Sequence, residues 1–468
     1  MKSDFCETYS RWVVAGQPLP MWCVWWCDLE RSGMGEGGLF MMRRADVWLA
    51  LRVAALGFII NCKPSEPYLA LYLNETKHFS NSELATEVYP WSLAGTFVFL
   101  LPFGIAAEIV GCRAVILFGL VCREATRILL IFGTTVGQMA LMQVVYGAGG
   151  AANAIYFAYV YTVAPSPDHY ALLTSAVLAG YHAGNMLGAL LGQALVVWIV
   201  PAWRADVTPL FYISWATCTV GLVAFALLPT PARALPRSLA HSLWHAGARS
   251  TCSSVLALWS SHTALLWLLW WLLSASGNLI VLNYFQLQLL AVSEDAPFGL
   301  LEALVEAGLV VGALGAWPLQ RLATRHPIIL VVVTSLLRSI ALGGAVVGAS
   351  CGSVWLPFLL NVCASLVFGV QDAAGRSLLA AATESPEKMP LLLSANTLVA
   401  NGVAAALSSA AGAGWSANDY FVAAAAMQAA LAVAAPCFRQ RGGGRAPVVS
   451  VAGVVADVVD DVPHERLR

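Results

Sequence analysis

Two charged residues, Lys63 and Glu66, stand inside a long apolar stretch that begins near Val47, and Pro64 and Pro67 accompany them. Proline removes a helical hydrogen bond and clashes with the preceding turn. A charge at membrane depth is costly unless it faces a partner or a cavity. The run therefore predicts a broken, polar helix that lines a path through a membrane and offers charge and hydrogen bonds to a solute.

The elements that position this run are predicted to be membrane helices. Of the 468 residues, 59% are hydrophobic and 11% charged, against about 25% charged in soluble domains, and the mean hydropathy is +0.73. A helix needs about 20 residues to cross the hydrocarbon core, and in lipid each span must satisfy its own backbone groups. The sequence predicts an all-α polytopic membrane protein with twelve transmembrane helices, near residues 45–73, 86–110, 113–133, 137–163, 170–199, 208–229, 263–291, 298–320, 327–350, 353–382, 388–412 and 418–438.

Basic residues predict the orientation of these helices, because cytoplasmic loops carry the excess of Lys and Arg. With both termini in the cytoplasm, only Lys77 and Arg204 lie on the outer side close to the membrane. In the same orientation, Asn74 starts an Asn-Glu-Thr glycosylation sequence in the first outer loop. The cytoplasmic side holds Arg43, Arg44, Arg113, Arg233, Arg237, Arg249, Arg321, Arg325, Lys388, Arg439, Arg441 and Arg445.

The predicted organisation has two six-helix halves joined by a polar linker. The linker is rich in Pro, Ser, His and Arg, and the tail contains a run of three glycines. The leader lacks the features of a clean signal peptide and is expected to be disordered or interfacial. The predicted divisions are a leader at 1–44, a first half at 45–229, a cytoplasmic linker at 230–262, a second half at 263–438 and a cytoplasmic tail at 439–468.

Composition and motifs argue against several other functions. The net charge of −1 gives no reason to expect nucleic acid as a partner. The 11 cysteines are scattered without metal-ligand spacing. The sequence has no Gly-rich phosphate loop and no nucleophile elbow. We therefore expect no enzyme activity, no catalytic residue, no metal and no cofactor.

The loop between the second and third predicted helices contains Gly104, Glu108, Gly111 and Arg113. This spacing resembles the cytoplasmic signature of the major facilitator superfamily. In that superfamily the acid pairs with bases and helix ends and holds the cytoplasmic side closed in the outward-facing state. The resemblance implies that Glu108 and Arg113 are gating residues, although Cys112 replaces one base of the usual basic pair. The alternative is an ordinary loop with charged ends.

The opening run, Lys63-Pro64-Ser65-Glu66-Pro67-Tyr68, resembles the Arg-Pro-Ser-Glu-Pro-Phe type run of the reduced folate carrier family, which transports folates and thiamine. The resemblance covers roughly residues 50 to 412 and implies a major facilitator fold with six and six helices. It also implies uptake of a water-soluble vitamin across the plasma membrane by alternating access. The further matches, in chain order, are residues 87–90, 146–147, 155–156, 159–161, 170, 174–175, 191–193, 283–286, 305–307 and 396–397.

The same resemblance implies which residues bind the substrate. Tyr156 and Tyr159 share a helix face, and Tyr156 aligns with an aromatic that stacks on substrate in thiamine carriers; both could instead simply pack. Glu306, in an otherwise apolar eighth helix, could serve substrate charge or a coupled proton. Glu66 could instead pair with Lys63 or cap the broken turn, and the polar residues of the seventh helix could instead join helices by hydrogen bonds. The implied set is Glu66, Tyr72, Trp91, Asn153, Tyr156, Tyr159, Asn283, Gln286 and Glu306.

Departures from the family count against a standard folate site more than against a thiamine site, and they leave both substrates open. Asn153 stands where thiamine carriers have a glutamate and folate carriers an arginine, Ala404 falls where folate carriers have a lysine, and Trp91 is displaced by one position. Alternatives are a receptor that binds without transport, or a facilitator for another small solute, and transport could be coupled to a proton or a counter-anion.

Further membrane charges could satisfy one another locally. Their helical spacing permits Glu124 to pair with Arg127, and Asp372 with Arg376. Arg123, beside Glu124, is another charge in the third helix. Arg376 could also serve an anionic ligand.

Overall fold

The computed structural model describes residues 44–69, 72–80, 83–88, 90–166, 169–204, 206–229, 262–290, 298–382, 389–411 and 415–438. The predicted leader, linker and tail lie outside these residues, apart from Arg44 and His262. The described residues form twelve long helices. They are α1 Arg44–Asn61, α2 Pro90–Val110, α3 Cys112–Phe132, α4 Val136–Val163, α5 Tyr170–Gln193, α6 Thr208–Ala224, α7 His262–Leu290, α8 Phe298–Arg325, α9 Pro327–Ser350, α10 Trp355–Ala381, α11 Met389–Ala411 and α12 Ala417–Ala434.

The helices follow the predicted spans closely at most boundaries, which confirms the all-α fold class. Eight of the helices in the described part of the chain are long and apolar enough to cross a membrane. The third helix is not among them, because it carries four charged residues, Arg113, Arg123, Glu124 and Arg127. The crossing of a membrane by all twelve helices stays a prediction.

The first helix breaks where the prolines predicted. Its regular hydrogen bonding ends at Asn61, and residues 62–65 lead into a short 3₁₀ turn at Glu66–Tyr68. The hydroxyl of Ser214 on α6 accepts a hydrogen bond from the backbone N–H of Ser65, with 3.0 Å between nitrogen and oxygen. A backbone donor freed by the break therefore finds a partner on a neighbouring helix, as a buried polar group requires.

Four glycines of α5, spaced four residues apart, lie directly against the backbone of α1 and its broken end. A Cβ on Gly184 would lie 2.3 Å from the carbonyl oxygen of Phe58, and one on Gly188 would lie 2.6 Å from the backbone nitrogen of Lys63. Gly180 and Gly192 make equally close approaches. Small residues at this spacing let membrane helices pack at short distance, so this stripe fixes the position of Lys63 and Glu66.

Replacing Gly184 by alanine is expected to destabilise the protein, since the new Cβ meets backbone that cannot swing away. Overpacking of this kind costs about 1–3 kcal/mol, which exceeds the roughly 0.5–1 kcal/mol that alanine gains over glycine in a helix. Thermal unfolding in detergent measures the change. Gly343→Ala on α9 is the matched control, because nothing lies within 4 Å of its added Cβ. A Gly184→Ala protein as stable as the control would contradict the expectation.

The N-terminal half, α1–α6, contacts the C-terminal half, α7–α12, at both ends of the bundle. At the end where α1 begins, Gly104 of α2 lies against Leu391 and Ser394 of α11. At the opposite end, Gly299 of α8 lies against the side chain of Gln193 on α5. Residues between these two contact regions are therefore enclosed by both halves.

Candidate functional site

Glu66 is the centre of a buried ion pair with two cations. Its Oε1 atom lies 2.6 Å from Lys63 Nζ and 2.6 Å from Arg127 Nη2. The Lys63 and Arg127 side chains are only 7% and 6% exposed, whereas that of Glu66 is 27% exposed. One carboxylate oxygen therefore serves two cations, and Glu66 is more exposed than either of them.

A third cation, Arg123, lies one helical turn before Arg127 and contacts Asn153. Its Nη2 atom donates to Asn153 Oδ1 at 2.8 Å, and its Nη1 atom donates to the Ile60 carbonyl oxygen at 3.4 Å. Both acceptors are neutral. The structure thus places the guanidinium of Arg123 beside Asn153, whose own side chain is a neutral amide.

Glu306 lies where the two halves meet. Its Oε2 atom is 2.6 Å from His182 Nδ1, and its Oε1 atom accepts from Asn185 Nδ2 at 3.3 Å, both on α5. The expectation that α8 is otherwise apolar was wrong, because Glu302 precedes Glu306 by one turn and lies within electrostatic range of Glu306, Glu66 and Lys63. Two acids therefore face the N-terminal half from α8.

Tyr181, half-buried on α5, connects these groups. It lies within electrostatic range of Arg123, Lys63, Tyr146 and Glu306, and its ring packs edge-on against that of His182. The ionisable groups of both halves therefore share one region, which we call the charged cluster. Its members are Lys63, Glu66, Arg123, Arg127, His182, Glu302 and Glu306.

The two expected local pairs had different outcomes. Asp372 and Arg376 do pair, with Oδ1 and Nε 2.7 Å apart. The predicted pair of Glu124 with Arg127 was wrong, because Arg127 reaches across to Glu66. Glu124 instead accepts hydrogen bonds from Trp215 Nε1 at 2.8 Å and Thr219 Oγ1 at 3.2 Å, both on α6.

Tyr156 and Tyr159, predicted to bind substrate, are almost fully buried between helices, with exposures of 2% and 0%. The Tyr156 hydroxyl donates to the Val53 carbonyl oxygen and accepts from the Gly57 N–H. The Tyr159 hydroxyl donates to the Pro229 carbonyl oxygen. In this conformation both rings pack rather than present an open stacking surface, and their contact with substrate stays a prediction.

Three other predicted residues lie outside the charged cluster. Tyr72 is buried in a short helical turn, Tyr72–Thr76, that follows the broken end of α1, and it stacks on Phe211 with ring centroids 4.0 Å apart. Trp91, near the start of α2, is 49% exposed. The predicted glycosylation site, Asn74, donates from Nδ2 to the Phe79 carbonyl oxygen at 3.2 Å.

Asn283 and Gln286 lie in α7, but their side chains are not among those that the structure describes. The predicted gating residue Arg113 binds the end of α6, where its Nη1 atom donates to the carbonyl oxygens of Leu228 and Pro229. This contact with a helix end agrees with the predicted arrangement. Glu108 lies in the last turn of α2, and gating by the two residues stays a prediction.

Sequence reasoning named Glu66, Asn153 and Glu306 but missed their partners as site residues. Lys63 was visible as a charge in the broken helix, and Arg123 and Arg127 as charges in a membrane span. His182 gave a weaker signal, because a lone histidine in a helix is more often structural than functional. Two shared features could have identified these residues as parts of one site: each is ionisable, and each lies inside an apolar segment.

The arrangement is suited to binding a polar solute between the N-terminal and C-terminal halves. It combines fixed cations on the N-terminal half with carboxylates on the C-terminal half. Ionisable groups buried within a membrane bundle mark substrate and ion pathways by default. Within the described residues no cluster of His, Cys, Asp and Glu suits a metal ion.

Comparison with known proteins identifies the transporters that this chain resembles. Residues 47–237 match the family model named Reduced folate carrier. Folate transporter 1 of Caenorhabditis elegans is 27% identical over 315 residues, which cover 61% of this chain and 68% of that protein. Human thiamine transporter 2 is 32% identical over 184 residues, or 38% of this chain and 35% of that protein. A folate-like transporter of Dictyostelium discoideum is 27% identical over 245 residues, or 52% and 41%.

Solved structures show the fold. The proton:xylose symporter XylE aligns with a TM-score of 0.63 at 11% identity, covering 85% of this chain and 96% of that one. The transporter FucP in the outward conformation aligns with a TM-score of 0.63 at 12% identity, covering 85% and 100%. At these identities the likeness concerns the fold alone, whereas the relatives by sequence concern the family. The chain is therefore similar to the reduced folate carrier family over residues 47–237, spans less than half the length of two of these three relatives, and shares the fold of the solved transporters XylE and FucP.

Proposed function

We propose that this protein carries a water-soluble vitamin of the folate or thiamine class across the plasma membrane by alternating access. The observation that carries the proposal is the charged cluster, in which ionisable groups of both halves meet within a membrane fold. Alternating access needs a site that both halves share, so that rocking of one half against the other exposes it to each side in turn. The family match and the vitamin-transporting relatives support the substrate class.

The organisation that we propose has a six-helix half at 45–229 and another at 263–438, with the linker 230–262, the leader 1–44 and the tail 439–468 in the cytoplasm. The Lys and Arg distribution supports this orientation. Energy would come from a coupled proton or an exchanged anion. Glu306 and His182 are the groups suited to a proton, and the cations of the N-terminal half are suited to an anion.

The test is uptake by proteoliposomes of defined protein orientation. Radiolabelled thiamine and folate are each offered with and without an imposed pH gradient, and empty liposomes give the background. Saturable accumulation of either vitamin supports the proposal. If neither vitamin enters vesicles whose protein binds them, transport is excluded.

A receptor that binds without transport is the second candidate, and Asn153 favours it, because the charge that both family branches place there is absent. Counterflow separates the two functions. Vesicles loaded with unlabelled vitamin accumulate labelled vitamin transiently if the protein is a carrier, whereas a receptor only saturates. A facilitator for another small solute would be favoured if Glu66→Gln left vitamin uptake unchanged.

A further inference from the structure

Arg123 differs from the other cations of the charged cluster in having only neutral partners. Lys63 and Arg127 share the carboxylate of Glu66. Arg123 contacts an amide oxygen of Asn153 and a backbone oxygen of Ile60. Among the residues that the structure describes, no carboxylate pairs with it.

An unpaired guanidinium in a membrane bundle is unfavourable, and such groups normally face a partner or a water-filled cavity. Two of the three acids of the charged cluster already have partners. Glu66 holds two cations, and Glu306 is held by His182 and Asn185. The third acid, Glu302, lies within electrostatic range of Lys63 and Glu66, so an anionic group beside Arg123 is the component that its guanidinium lacks.

The position of Arg123 places it within the site and not behind it. Tyr181 lies within electrostatic range of Arg123, Lys63 and Glu306 together. The hydrogen bond to Asn153 fixes one edge of the guanidinium, which carries five N–H donors in a planar fork. The donors that remain suit the two oxygens of a carboxylate or a phosphate.

We infer that Arg123, oriented by Asn153, binds an anionic group of the substrate and makes the carrier selective for anionic vitamins over cationic ones. The inference rests on the proposed function and deepens it. A folate supplies carboxylates, thiamine monophosphate supplies a phosphate, and thiamine supplies neither. The residue is thus specificity-determining in place of the charge that is missing at position 153.

The test compares uptake and binding of folate, thiamine monophosphate and thiamine by the wild type, Arg123→Gln and Arg123→Lys. We expect Arg123→Gln to raise KM and Kd for an anionic substrate by about 10- to 100-fold, since a hydrogen bond to a charged group is worth about that factor. Thiamine binding stays unchanged or improves. Arg123→Lys keeps the positive charge but lacks the planar set of guanidinium N–H donors, so we expect an intermediate loss of affinity for the anionic substrate.

Arg52→Gln is the matched control. Arg52 also donates to a backbone carbonyl, that of Leu227, but it lies midway along α1 and is not a member of the charged cluster. Its replacement leaves the ratio of the affinities for anionic and cationic substrates unchanged. Thermal unfolding of each variant confirms that the protein is folded.

Binding separates failure of this inference from failure of the proposed function. If the protein binds a vitamin but does not transport it, loss of folate or thiamine monophosphate binding in Arg123→Gln still supports the inference. An equal loss of thiamine and of the anions in Arg123→Gln overturns it, because the residue is then structural. Wild-type protein that binds thiamine but neither anion overturns it as well.

Discussion

Replacing Glu66 by glutamine is expected to lower stability by about 3–5 kcal/mol and to reduce vitamin uptake to background. The change leaves the nearly buried Lys63 and Arg127 without a counter-charge, and breaking a buried pair from one side costs about this much. Arg127→Gln is expected to cost less. It leaves the Lys63–Glu66 pair intact and removes one hydrogen bond to a charged group, worth about 1.5–3 kcal/mol.

Thermal unfolding of the two variants in detergent, alongside uptake in proteoliposomes, gives the comparison. Glu75→Gln serves as a control, because that carboxylate is exposed in the turn after α1. The expected order of stability places wild type and Glu75→Gln highest, Arg127→Gln next and Glu66→Gln lowest. An Arg127→Gln protein that unfolds before Glu66→Gln would show that Glu66 is not the shared centre of this ion pair.

Much of the helix pattern could be predicted because hydrophobicity and proline act locally. A break after Asn61 follows from Pro64 and Pro67 whatever the rest of the chain does. The pair Asp372 and Arg376 could be predicted for the same reason, because i and i+4 side chains meet on any helix.

The partners of the charged groups could not be predicted, because they depend on which helices become neighbours. Spacing alone allowed Arg127 to pair with Glu124, yet Trp215 and Thr219 on α6 bind Glu124 and leave Arg127 for Glu66. The contact of His182 with Glu306 spans 124 residues of sequence. Such contacts are set by packing of whole helices, which a single sequence does not reveal.

Breaking the bridge between His182 and Glu306 is expected to shift the balance between the two access states that we propose for this protein. The bridge joins α5 of one half to α8 of the other, so it stabilises the conformation in which it forms. A hydrogen bond to a charged group contributes about 1.5–3 kcal/mol, and its loss therefore changes a two-state population by about 10- to 100-fold. Uptake slows because one access state becomes rare.

A double-mutant cycle measures this coupling directly. His182→Ala, Glu306→Ala and the double variant each carry a spectroscopic label pair at Glu75→Cys and the exposed Cys351, in a background without the other cysteines. The distance distribution between the labels reports the population of each access state. If the bridge is the coupling element, the double variant resembles each single variant, because either change already removes the whole contact.

Strict additivity of the two single changes would show that His182 and Glu306 act separately. The control is His169→Ala, since His169 lies at the start of the same helix and contacts Asp46 within the N-terminal half, with 3.5 Å between nitrogen and oxygen. That contact moves with its own half, so its loss leaves the population unchanged. A shift in the control equal to that of His182→Ala would mean that α5 as a whole, and not the bridge to Glu306, sets the balance.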